Sequence, residues 1–302
     1  MSLRRRLLNT FLRLFEKRYL ARAQETTDLR RVFERKARFW FRPPKQSRFA
    51  SDQIDGVPVT WAFGAGVEDR GPVILYLHGG GYVYGSSRTH LAMAARLSGL
   101  AGLPACLPDY RRAPEHPFPA ALEDALAVYL DLSAQRPVII GGDSAGGGLA
   151  LALLAEIHKH RMPHPLGVFC FSPLTDMTFA GESVVTNREV EAMLPVARAG
   201  ELADMYLQGA SPRDPRASPL FARFEGSGPV WLTVGDTEIL LDDTRRMADR
   251  LRADGVEVTE VIEHDLPHVW PIFGPALLPE AGETLRDLAN WITRLSSMSG
   301  ES

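Results

Sequence analysis

Cysteine is nearly absent from this chain of 302 residues, with only Cys106 and Cys170 present. Each sits in an apolar run, LPACLP and GVFCFSP, which reads as two small core residues. No CxxC spacing and no Cys/His cluster occurs, so no structural metal is expected and nothing demands an oxidising compartment. Long hydrophobic runs are also missing; none approaches the ~20 residues of a membrane span. Strong charge of one sign is lacking too. The formal net charge is -3, and no basic stripe with interleaved aromatics runs through the body of the chain, which argues against a nucleic-acid partner. Arg4, Arg5 and Arg6 look like the start of a signal peptide. The apolar stretch that should follow is broken by Asn9, Thr10, Arg13, Glu16 and Lys17, and no small-residue cleavage site appears. A cytoplasmic protein is the expectation.

What is present is an ordinary globular composition, 45% hydrophobic and 24% charged, at a length suited to one large α/β domain. The charge is split unevenly. Residues 1–38 carry a net of +8 and the remainder a net of -11. Leu3, Leu7, Phe11, Leu14 and Phe15 recur at helical steps, with Leu8, Leu12 and Tyr19 flanking them and Arg6, Arg13 and Lys17 on the other side. Such a helix either lies on a membrane or docks its apolar face on the rest of the protein as part of a cap. The opposite charges of the two segments favour the cap. Pro43-Pro44 ends this segment.

From about residue 56 short apolar runs alternate with helical patterns, the mark of a mostly parallel sheet covered on both faces. Strands are expected at Val57–Phe63, Val73–Leu77, Pro104–Leu107, Val138–Ile140, Val168–Phe171, Val230–Val234 and Val256–Ile262. Helices are expected at Thr89–Leu100, Ala120–Ala134, Gly148–His160, Asp243–Ala253 and Ala281–Leu295. Between Asp176 and Pro219 no strand pattern occurs, only helix-like pieces at Glu189–Met193 and Glu201–Leu207 and a turn-rich SPRDPRASP. A helical insertion there reads as a lid that, with the N-terminal helices, roofs a pocket. The division expected is 1–45 as an N-terminal cap segment, 46–302 as the catalytic α/β domain, and 177–217 inserted as a second cap segment.

Gly142-Asp143-Ser144-Ala145-Gly146 matches G-x-S-x-G. The pattern alone is weak, but PVIIG runs into it and GLALALLAEIHKH runs out, the strand–turn–helix setting it requires. A turn this sharp strains the serine backbone and leaves no room for Cβ atoms at 142 and 146. It presents the Ser144 hydroxyl above a helix N-terminus, where developing negative charge is favoured. His78-Gly79-Gly80-Gly81 follows PVILYL, as an oxyanion loop would. Donors are expected from the N–H groups of Gly80, Gly81 and Ala145, each worth roughly 10²–10³ in rate. His78 is on the wrong loop for a base and should hold the glycines in shape. A phosphate loop is excluded, since neither G-x-G-x-x-G nor G-K-[ST] is present.

The base should follow the last strand, in EHDLPHVW. His268 lies further beyond it behind a stiffening proline, whereas His264 abuts the strand between Glu263 and Asp265 and reads as a solvated rim. The acid should lie in GDTEILLDD after VWLTV. Asp236 and Glu238 both fit, and chemistry alone does not separate them.

Taken together, HGGGYVYGS (78–86), DYRRAPEHPFPAALED (109–124), GGDSAGGGLA (141–150), SPLTD (172–176), GDTEILLDD (235–243) and HVW (268–270) resemble the bacterial hormone-sensitive-lipase-like esterases, a branch of the α/β-hydrolases. The resemblance runs from about residue 55 to the C-terminus. It implies that Asp109, Tyr110, Arg111 and Glu115 shape the core near the pocket and are not catalytic. It also places Glu238 at the family's acid position, where members usually carry Asp, with Asp236 as the fallback. The function so implied is hydrolysis of short- to medium-chain acyl esters through an acyl-enzyme, with Ser144, Glu238 and His268 as the triad. No cofactor is expected, and a homodimer is plausible by resemblance. An amide or carbamate hydrolase using the same residues, or a non-catalytic ligand-binding member of the fold, are the alternatives.

Overall fold

Apolar runs of four to six residues, unbroken by polar positions, become strands buried on both faces. The computed structural model describes residues 3–23 and 25–298; residues 1–2 and 24 of the expected cap segment and 299–302 of the expected α/β domain lie outside the described residues. Among the described residues eight strands form one sheet in the order β1-β2-β4-β3-β5-β6-β7-β8. They are β1 Arg48–Ile54, β2 Val57–Phe63, β3 Val73–Leu77, β4 Ala105–Pro108, β5 Val138–Asp143, β6 Gly167–Phe171, β7 Val230–Gly235 and β8 Val258–Glu263. From β4 to β8 the neighbours are parallel, while β1 and β2 run antiparallel at one edge.

β1 was not anticipated. Six of its seven residues are exposed, so RFASDQI carries no hydrophobic alternation to read. Its existence is signalled instead by Asp55-Gly56, both at positive φ (45° and 82°), a two-residue turn whose twist suits a hairpin. Elsewhere the strands fall within a residue or two of expectation, except that β5 continues through Gly141 and Gly142 to Asp143.

The helices are α1 Leu3–Phe11, α2 Lys17–Arg22, α3 Thr26–Trp40, α4 Ser87–Ala101, α5 Ala120–Gln135, α6 Ala145–Lys159, α7 Ser183–Thr186, α8 Val196–Leu207, α9 Leu241–Ala253, α10 Gly274–Leu277 and α11 Pro279–Met298. One apolar layer joins the sheet to α5, α6 and α9, and the other joins it to α4 and α11. Cys106 and Cys170 are buried free thiols. No helix is long and apolar enough to cross a membrane, among the described residues.

Two expectations need correcting. Glu189–Met193 is not helical but a run of turns and bends, and the helix beyond it starts earlier, at Val196. The apolar stripe of α1 does not dock. Leu3, Leu7 and Phe15 are 70%, 62% and 62% exposed, while Arg5 and Asn9 on the opposite side are 8% and 2% exposed. The cause is local. The loop after β8 offers unpaired carbonyls, and Arg5 donates to the His264 oxygen at 2.7 Å while Asn9 donates to that of Asp265 at 2.9 Å. A π-helical turn at Leu12–Glu16 then shifts the phase of α2, so that Leu12 and Leu20 point inward.

Candidate active site

Ser144 sits between β5 and α6 at φ 53°, ψ -123°, a strained conformation for a residue with a Cβ. The turn is fixed by its neighbours. Its N–H donates to the Phe171 oxygen at 2.8 Å, and its carbonyl accepts from Gly148 and Leu174 at 3.0 and 2.9 Å. A Cβ on Gly142 would strike the Gly146 backbone, and one on Gly146 the carbonyls of Leu77 and His78. The two glycines are therefore obligatory for bringing strand and helix this close.

Asp143, the variable residue of the motif, is buried beneath the loop after β3. It accepts from the Tyr76 hydroxyl at 2.7 Å and the Gly79 N–H at 3.1 Å, and it lies 3.2 Å from His90 Nε2. Burial pushes its pKa up, but His90 and the Tyr76 hydrogen bond outweigh that and hold it below the usual carboxylate value. Asp143 thus ties the glycine loop after β3 to the turn that carries Ser144. His78 is buried with its ring 4.2 Å from that of Tyr110, and its Nδ1 lies 2.9 Å from the Gly79 carbonyl. Burial and the neighbouring His90 lower its pKa to about 4, so it is neutral at physiological pH. Gly80 and Gly81 adopt φ of 121° and 60°, and the Gly80 carbonyl accepts from Val83 and Tyr84. Ala145 is the first residue of α6, so its N–H has no carbonyl one turn earlier within the helix.

The residues from the DYRRAPEHP stretch are structural in their contacts. Asp109 accepts from the Ser87 N–H and hydroxyl at the start of α4, and Tyr110 donates to the His78 carbonyl. Arg111 binds Asp124 and Glu123 on α5. Arg30 of α3 grips Glu115 through both oxygens at 2.8 and 2.7 Å, which lowers the Glu115 pKa to about 2 and fastens α3 to the domain.

His268 and Glu238 meet across two loops, Nδ1 to Oε2 at 2.7 Å, both buried. The other Glu238 oxygen accepts from the Ser172 hydroxyl at 2.8 Å and the Gly235 N–H at 2.7 Å. Asp236 is drawn elsewhere. Its Oδ2 lies 2.7 Å from Nδ1 of His264, an exposed ring, and its Oδ1 accepts from the Asp265 N–H. Burial lowers the His268 pKa, but Glu238 first and then Glu191 and Asp143 more than offset this, leaving it above the ordinary value.

Two residues of this network were not singled out from the sequence. Ser172, at φ 47°, bonds Glu238 and also accepts from the Val269 N–H at 3.2 Å, so it braces both partners. Its only trace is the SPLTD run at the end of β6. Glu191 is fully enclosed in the inserted segment. One of its oxygens accepts from Met193 and Leu194, the other from Ile239 beside Glu238. Burial and the nearby Glu238 raise its pKa. NREVEAM gives no sign that the second Glu turns inward.

Ser144 opens into two lobes. One, of about 60 Å³, is lined by Gly81, Leu174, Phe179, Leu194, Leu202 and their neighbours. The other, of about 240 Å³, is lined by Gly80, His268, Val269, Met193 and side chains of the N-terminal helical segment including Phe11, Leu12 and Trp40. Among the described residues no group of three or more His, Cys, Asp or Glu could hold a metal ion.

Sheet order, strained serine and glycine loop together define an α/β-hydrolase. A family model described as an alpha/beta hydrolase fold matches residues 74–272. An acetyl-hydrolase of Streptomyces hygroscopicus is 39% identical over 214 residues, 70% of this chain and 71% of that protein. An esterase of Acinetobacter venetianus is 34% identical over 74% of this chain and 75% of its own. The crystal structure of an esterase from the bacterial hormone-sensitive lipase family superposes with a TM-score of 0.91 at 35% identity, covering 98% of this chain and 99% of that one. The chain belongs to the bacterial hormone-sensitive lipase family of esterases, within the α/β-hydrolases.

Proposed function

We propose that the protein is a carboxylesterase acting on short- to medium-chain acyl esters through a Ser144–His268–Glu238 triad. The observation that carries this reading is the buried 2.7 Å contact between His268 and Glu238, on the wall of the cavity that also contains Ser144. With Nδ1 turned to a carboxylate, the imidazole proton is held on that side and Nε2 is left to accept. His268 takes the Ser144 proton as the hydroxyl oxygen attacks the ester carbonyl. The N–H groups of Gly80, Gly81 and Ala145 hold the oxyanion. Protonated His268 then hands its proton to the departing alcohol, and water repeats the cycle on the acyl-enzyme.

The two lobes take the two halves of the ester. The leaving alcohol must sit where His268 can protonate it, which is the 240 Å³ lobe, and the acyl group occupies the 60 Å³ lobe. The acyl lobe is about a quarter of the size of the alcohol lobe, so short acyl groups fit best. Residues 1–45 and 177–217 act as the two parts of a cap. Ser144→Ala should lower kcat by about 10⁶ while leaving the fold intact. Retention of substantial turnover in clean preparations would defeat the assignment, as would failure of a fluorophosphonate to label Ser144 in the unmodified enzyme.

A further inference from the structure

The outward stripe of α1 is part of a larger surface. Thirteen large apolar side chains stand exposed among the described residues, and seven of them lie between residues 3 and 40. They are not scattered. Phe11 packs on Phe15 with ring centroids 5.1 Å apart and lies 6.1 Å from Trp40, which in turn contacts Phe39 at 5.4 Å. Single exposed apolar residues are ordinary, but a contiguous patch needs an occupant.

Charge identifies that occupant. At 100° per residue, exposed Arg4 and Arg6 flank the Leu3, Leu7 and Phe11 stripe on either side. The segment carries +8 against -11 for the remainder. A symmetric dimer through this face would set one +8 segment against another, which disfavours a second copy. An anionic lipid surface satisfies both features, receiving the apolar side chains at the acyl boundary and the arginines at the headgroups. The helix is held in this orientation by polar anchors, since Arg5 and Asn9 are engaged with the loop that precedes His268. Phe11 and Trp40 belong to the patch, are half-exposed and also line the 240 Å³ lobe, so the patch borders a mouth of the cavity.

We propose that residues 3–40 dock on an anionic lipid surface with this mouth turned toward it. Flotation with phosphatidylglycerol/phosphatidylcholine vesicles tests the idea. The unmodified protein should partition onto them, and raised salt or pure phosphatidylcholine should weaken binding. Leu3→Ser/Leu7→Ser/Phe15→Ser, residues outside the cavity lining, should lower partitioning by at least about tenfold. Turnover of a soluble short-chain ester by that variant should be unchanged, so docking and catalysis fail independently. Brominated lipid should quench Trp40 in the unmodified protein, a readout that needs no variant. Absence of vesicle binding, absence of quenching, or equal binding by the variant would overturn the proposal. So would light scattering in which the substitutions convert a dimer to a monomer, because a second copy would then cover the face.

Discussion

His268–Glu238 and His264–Asp236 join the same two loops, the one after β7 and the one after β8, each through Nδ1 to a carboxylate oxygen at 2.7 Å. Distance does not tell them apart. The inner pair is enclosed, its carboxylate braced by Ser172 and the Gly235 N–H, and it faces the cavity of Ser144. The outer pair lies at the surface, with the His264 ring 66% exposed, and its neighbours are the anchors of α1. On the proposed mechanism, a histidine–carboxylate contact serves chemistry only where burial and a cavity accompany it. In the open it is a latch between loops, worth at most about 1 kcal/mol.

The largest effect should come from breaking the histidines one at a time. On the proposed mechanism His268→Ala removes the base and should lower kcat by on the order of 10⁵–10⁶. His264→Ala should leave kcat within about twofold, since a surface substitution of this kind shifts stability by about 0.5 kcal/mol or less. Steady-state kinetics on one soluble ester compares them directly. Equal losses would mean that the outer pair also takes part.

Next come the acids. Glu238→Gln keeps the size but no longer favours the required tautomer, and should cost about 10⁴ in kcat. Asp236→Asn gives up a carboxylate contact with His264 while the backbone still joins Asp236 to Glu263, and should cost less than about threefold. A large loss in the Asp236 variant together with a small one in the Glu238 variant would reverse the assignment.

How far the sequence anticipates all this differs from residue to residue, for physical reasons. The elbow is legible because its requirements are local: a strand, two glycines without room for Cβ, and a helix start, all within ten residues. Glu238 and Asp236 are two positions apart on one loop, so spacing cannot choose between them; which one reaches His268 depends on the path of a loop 30 residues away. Strand β1 escapes because its solvated face has no apolar period, although Asp55-Gly56 announces the turn. The α1 stripe misleads for the opposite reason. A periodic apolar face is normally buried, and here polar anchors on the other face outcompete it. Glu191 is silent in the sequence because nothing about a glutamate between Val190 and Ala192 predicts three N–H donors around it.

Glu191 also supplies the finest test of what separates the two pairs. The inner one has a third carboxylate close by that is buried and held by the inserted segment. Its negative charge adds to that of Glu238 in raising the His268 pKa. On the proposed mechanism His268 must be neutral to act as the base, so kcat/KM should climb as pH rises through its pKa, with the acid limb above the ordinary histidine value of about 6.5. Glu191→Gln removes the charge, lowers the His268 pKa and should move that limb to lower pH. The plateau should fall as well, because one amide N–H then opposes a backbone donor, at a cost of about 1–3 kcal/mol to the local structure. A residue that only packs would lower the plateau or the Tm without moving the limb, and His264→Ala should leave the limb where it is. The pH profile of kcat/KM for the three proteins separates these outcomes; an unmoved limb in Glu191→Gln would make Glu191 a structural brace and leave Glu238 as the dominant charge acting on His268.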